Sequence, residues 1–99
     1  MVSEKIIRNL MEPNKVLRDQ IFKIIKTQIK NNDPPETKEN YNRLISLGYD
    51  DFVAKQYLGQ CLAVELFDMM KLKRMFDKDR YIKNLNALPL EPFDDEEED

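Results

Sequence analysis

Apolar residues recur along the chain at helical spacing, in stretches separated by proline and glycine. Ile6, Ile7, Leu10 and Met11 fall at i, i+1, i+4 and i+5, with Ser3 as an available cap, and predict a short helix over 3–11 that stops before Pro13. From about Pro13 to Asn31, Leu17, Ile21, Ile24, Ile25 and Ile29 share one face with Phe22 at its margin, while Asp19, Lys23, Lys26 and Lys30 lie opposite. "NNDPPE" breaks this second helix, placing Asp33 as N-cap and Pro34 at the first position of a third. That helix runs to about Leu47 with Tyr41, Leu44 and Ile45 inward and Glu39 four residues before Arg43 on the surface. Gly48 ends it at the C′ position.

Asp50 then caps a long fourth helix that continues to about Arg74 and is apolar nearly all round. Ala54, Tyr57, Leu58, Cys61, Val64, Met69 and Leu72 occupy one side, and Phe52, Ala63, Leu66, Phe67 and Met70 the other, so the helix is central or oligomeric. "FDKDRY" starts a fifth helix, with Asp77 as N-cap and Phe76 placed to staple onto Tyr81; Ile82, Leu85 and Leu88 follow until Pro89. Beyond it "LPLEPF" reads as extended, leaving Leu90 and Phe93 to dock on the body or a partner. The pattern predicts an all-α fold: a small bundle of four main helices plus a short N-terminal one, the long fourth helix at its centre. Residues 1–93 form a single helical domain and 94–99 an acidic tail.

Composition sharpens this picture at three points. Two glycines among 99 residues, with Leu, Ile, Lys and Glu dominant over Val and Thr, favour helices over a sheet with many tight turns. Cys61 is the lone cysteine, so no intramolecular disulfide forms, and "MVSEKIIRNL" lacks the apolar run of a secretion signal; a reducing cytoplasm is the expected location. Glu65, Asp68 and Lys71 interrupt the longest apolar stretch, so no membrane span is expected.

The net charge of −3 conceals an asymmetry. Six of the 19 acids form the terminal "DDEEED", leaving a mildly basic body with 16 Lys and Arg against 13 acids. A run of like charges repels itself and buries no apolar surface, so residues 94–99 are expected to be disordered. The tail can act as a solubilising end, bind a basic partner, or fold over the protein's own basic face and compete there with an anionic ligand.

The chain contains no histidine, the commonest general base and zinc ligand, and a lone cysteine builds no thiolate cluster. Neither G-x-x-x-x-G-K-[ST] nor G-x-G-x-x-G is present, so no phosphate cradle is encoded. No catalytic residue, cofactor or metal site is therefore assigned. Cys61 lies on an apolar helix side without a cation one turn away and reads as a small core residue. Tyr41, Tyr49, Tyr57 and Tyr81 coincide with core or staple positions, and no basic–aromatic interleaving accompanies them, so nucleic acid is not an expected partner.

Glu65 and Asp68 are the exception. Their i, i+3 spacing puts two carboxylates on one side of the most apolar helix, and burial there demands a cation or hydroxyl. Arg18, the charged residue within the apolar face of 13–31, is the preferred partner for a buried polar network, with Arg80 and Tyr81 as alternatives. A ligand- or metal-accepting site and acid–base catalysis are the competing roles for the pair.

"RLISLGYDDFVAKQYL", with Gly48-Tyr49 and Ala54, resembles the first two helices of a ubiquitin-associated domain. The helix then runs on past Cys61 where that domain needs a short one, so ubiquitin is not an expected partner. Over 34–89, "PPE", Arg43-Leu44, Gly48-Tyr49, Ala54 and "FDKDRYIKNLNALP" are similar to a family of short bacterial helical proteins known only as a domain of unknown function. That resemblance implies a fold and no activity. Such proteins often carry histidines in the long helix that are missing here, so no metal or acid–base role passes to this chain. The expected function is that of a non-catalytic helical module that binds a protein partner or itself, through a surface of Phe52, Leu66, Phe67 and Met70. Regulation through the acidic tail and basic body, or a small carboxylate-based ligand or metal binder, are the alternatives.

Overall fold

The computed structural model describes residues 15–90. The helix expected over 3–11 and the acidic tail at 94–99 lie outside them. The described residues form four helices and no strand: α1 (Lys15–Asn31), α2 (Pro35–Ser46), α3 (Asp51–Lys71) and α4 (Lys78–Ala87).

Local chemistry sets the ends of these helices. Asp50 caps α3 by accepting a 2.8 Å hydrogen bond from Val53 N–H, and Asp77 caps α4 by accepting one of 3.0 Å from Arg80 N–H. At the end of α2, Tyr49 N–H donates to Leu44 O and Gly48 N–H to Ile45 O, the paired bonds of a Schellman motif. This turn needs the left-handed Gly48, at φ 105°. The start of α2 differs from expectation. Pro34, not Asp33, holds the N-cap position, in extended conformation and without a side-chain cap, and Pro35 is the first helical residue. A residue preceding proline is driven out of the α region, so the second proline of "PP" moves the start by one position.

The long helix also stops earlier than expected, at Lys71 rather than near Arg74. Lys73 adopts a left-handed conformation, φ 59°, which turns the chain back at a cost of about 1–2 kcal/mol for a residue with a Cβ. The return brings Phe76 onto Tyr81, ring centroids 5.4 Å apart and edge to face, which is the expected staple.

Both α2 and α3 pack against all three other helices, while α1 and α4 lie apart from each other. The long helix therefore shares the centre with α2. The core joins Ile21 and Ile25 of α1, Leu44 of α2, Ala54, Leu58, Cys61, Leu62 and Val64 of α3, and Tyr81, Leu85 and Leu88 at α4. Ile45, expected inward, is 39% exposed, because the inward face of α2 is formed by Thr37, Asn40 and Leu44. Two of those three are polar, and both find partners on neighbouring helices.

Candidate functional site

Two charged regions flank α3, and they differ in every respect that matters for function. The first contains Glu65 and Asp68, both buried, as the i, i+3 spacing implies. Their cation is Arg80 of α4. Its Nε donates to Glu65 Oε2 at 2.7 Å, and its Nη2 lies 2.6 Å from Asp68 Oδ2. The second oxygen of Glu65 accepts the Asp77 backbone N–H at 3.0 Å, and the half-exposed Arg74 stands 4.0 Å from Asp68 Oδ2. Arg18, the preferred partner from sequence, is not part of this network. It sits on α1, whereas the Lys73 reversal and the Asp77 cap deliver the first turn of α4 directly over the carboxylates.

Burial alone would lower the pKa of the Arg80 guanidinium, but hydrogen bonds and charge from Glu65 and Asp68 outweigh it and hold Arg80 above its ordinary value. Glu65 thus spends one oxygen on the cation and the other on the helix start, while Asp68 pairs with Arg80 through Oδ2 and its Oδ1 is buried without a hydrogen bond among the described residues. Truncating one member of such a buried set costs about 3–5 kcal/mol. The arrangement suits docking of α4 onto α3 and gives no open position to a substrate. Cys61 is fully buried one turn away; burial, with Glu65 nearby, raises the pKa of its thiol and keeps it protonated. Among the described residues no three acidic or thiol side chains are grouped to hold a metal ion.

Sequence reasoning missed two polar bridges between helices. Gln28 of α1 accepts hydrogen bonds from both Thr37 Oγ1 of α2 and Tyr81 OH of α4, each 2.7 Å. One turn further along α2, Asn40 Nδ2 donates to Asn86 Oδ1, while Arg43 donates to Asn40 Oδ1 and to the carbonyls of Leu85 and Asn86. The end of α4 is thereby tied to α2.

The proposed interaction surface is divided. Phe52 and Met70 are 58% and 66% exposed, but Leu66 and Phe67 are half-buried against the core. Phe52 and Met70 stand at opposite ends of α3, about 27 Å apart at 1.5 Å per residue, so the four make no single patch. Phe52 instead packs its ring on Phe22, centroids 5.5 Å apart.

The second charged region lies where α1 faces α2 and α3. A groove of about 630 Å³ is floored by Phe22, Ile29 and Tyr41 and rimmed by Lys23, Lys26, Lys30 and Lys55. Its single acid, Asp19, is engaged by Lys15 at 3.2 Å. Tyr41 and Lys55 are fixed at the far wall by Asp51, which accepts from Tyr41 OH at 2.7 Å and pairs with Lys55 at 3.0 Å. The hydrogen bond to Asp51 holds the Tyr41 hydroxyl above its ordinary pKa, and the same bond, with Lys55 and Lys26 nearby, holds Asp51 below the usual carboxylate range. Lys23, Lys26 and Lys30 recur one per turn along α1 and form no ion pair among the described residues. Sequence placed these three on the outer face of their helix; it did not show that Tyr41 and Lys55 would convert that face into a groove.

The chain matches no protein-family model, no curated protein and no solved structure among those compared. No helix of the described residues is long and apolar enough to cross a membrane.

Proposed function

We propose that this chain is a non-catalytic helical interaction module, and that the groove between α1, α2 and α3 is its working surface. The observation that carries this reading is the set of cations at Lys23, Lys26 and Lys30, which form no ion pair among the described residues, above the apolar floor of Phe22, Ile29 and Tyr41. Cations left without internal partners around apolar surface are complementary to a peptide that carries carboxylates beside an aromatic or aliphatic anchor. Lysine suits a segment whose charges need steering more than fixed geometry, since its ammonium is a mobile point charge without the planar fork of arginine. The occupant is therefore an acidic protein segment with one large apolar side chain. Enclosure of Glu65 and Asp68 by Arg80 speaks against a carboxylate-based catalyst or metal binder.

The test is fluorescence anisotropy with a labelled acidic peptide containing one phenylalanine. Replacing Lys23, Lys26 and Lys30 together by glutamine is expected to weaken binding at least tenfold with the thermal midpoint unchanged. Equal binding by the native and glutamine chains would exclude the groove. A lesser reading is self-association through the exposed Phe52 or Met70. Sedimentation equilibrium resolves it, because a monomer at high concentration removes that reading.

A further inference from the structure

The groove's complement is written in the same chain. Residues 92–99 read "PFDDEEED": one aromatic side chain followed by six acids. This is the composition that a lysine rim over an apolar floor selects. The last described residue, Leu90, follows α4, whose C-terminal turn is bonded to Asn40 and Arg43 of α2. Tyr41, adjacent to Asn40 in the same helix, is part of the groove floor. Phe93 lies up to about 10 Å of extended chain beyond Leu90, and Asp99 up to about 30 Å. The segment therefore leaves α4 beside α2, the helix that contributes Tyr41 to the groove, and its six acids span up to about 20 Å, more than the two turns of α1 that carry Lys23, Lys26 and Lys30.

We infer that the groove's resident occupant is the chain's own C-terminal segment, with Phe93 on the Phe22, Ile29 and Tyr41 floor and Asp94–Asp99 along the lysines, so that a partner binds by displacing it. This inference rests on the groove being the working surface, and adds that the surface is autoinhibited. A tethered segment acts at an effective concentration of about millimolar. Even a weak intrinsic affinity, in the range of about 100 μM, then blocks external peptides about tenfold. Because the contact is made by exposed charges, salt dissolves it: at about 0.5 M the screening length is shorter than the reach of a lysine side chain.

The experiment uses three full-length proteins: the native chain; a chain with Asp94→Asn, Asp95→Asn, Glu96→Gln, Glu97→Gln, Glu98→Gln and Asp99→Asn; and the same amide-tailed chain with Lys23→Gln, Lys26→Gln and Lys30→Gln. Two labelled probes are titrated by anisotropy: a peptide of residues 92–99, and an unrelated peptide of equal charge with one phenylalanine. The amide-tailed chain is expected to bind both probes about tenfold more tightly than the native chain. That difference should vanish at about 0.5 M salt, and the lysine replacements should abolish binding. Equal affinity of the native and amide-tailed chains for the probes would leave the groove as a binding surface but remove its resident occupant. Failure of both probes to bind the amide-tailed chain would remove the groove reading as well. A block that strengthens with protein concentration would assign the tail to the groove of a second copy and overturn the intramolecular form.

Discussion

Arg80 with its two carboxylates and the lysine rim of α1 place charge on opposite flanks of one helix, under opposite rules. On the α4 side Arg80 is buried against both carboxylates, and Glu65 and Asp68 are 0% and 1% exposed. On the α1 side three exposed cations form no ion pair among the described residues. The buried set specifies which surface of α4 meets α3, because any other docking would strand two carboxylates in an apolar core. The exposed set contributes nothing to that specification and is left available for an external charge. Burial and pairing mark a part of this protein that holds itself together, while the exposed lysines mark the part proposed to meet a partner.

The largest effect that separates the two regions is expected from Arg80→Met, which strands both carboxylates and should lower stability by about 3–5 kcal/mol in denaturant titrations. Loss of under 1 kcal/mol would mean that water already reaches the network. Alkaline pH should give the next effect. Burial is the main cause that raises Tyr81 and Cys61 above their ordinary values. The unfolded chain therefore loses these protons first, from about pH 8.5 for a thiol and about 10 for a phenol. Their contribution is complete below those values and declines as pH rises toward the folded ones, by up to about 1.4 kcal/mol per pH unit for each group. Thermal midpoints between pH 8 and 11 should fall accordingly, and Cys61→Ala with Tyr81→Phe should flatten the slope. The smallest effect belongs to the groove: Lys23→Gln, Lys26→Gln and Lys30→Gln together should change stability by no more than about 0.5 kcal/mol. A larger loss would show that the lysines have a structural role and would erase the contrast.

Much of the fold was legible because it depends on neighbours in sequence. Asp50, Gly48, Asp77 and the Phe76–Tyr81 staple act within a single turn, and each occupies its expected place. The start of α2 was misplaced by one residue because two prolines compete for the first helical position and only the second is free of a following proline. The burial of Glu65 and Asp68 followed from periodicity, but the identity of their cation did not. Choosing Arg80 over Arg18 requires knowing that the chain reverses at Lys73, a residue with no intrinsic preference for a left-handed backbone. Ile45 faces outward for a similar reason: Thr37 and Asn40 take the inward face of α2 only because Gln28 and Asn86, remote in sequence, are there to receive them. The groove was least legible, since its floor and rim come from three helices and none of its residues is unusual alone.

The acceptance of two hydroxyls by Gln28 has a kinetic side. Helices α1 and α4 do not pack on each other, yet the Tyr81–Gln28 bond joins residues 53 positions apart. Contacts spanning that much chain are made late, after the loop-closure entropy of the shorter connections has been met. The amide oxygen of Gln28 bridges α2 and α4 to α1. In a native-state hydrogen-exchange experiment, Gln28→Leu should leave the slowest amides of α3 close to their wild-type rates while those of α1 open ahead of global unfolding, making the helix that carries the lysines a separable unit of motion.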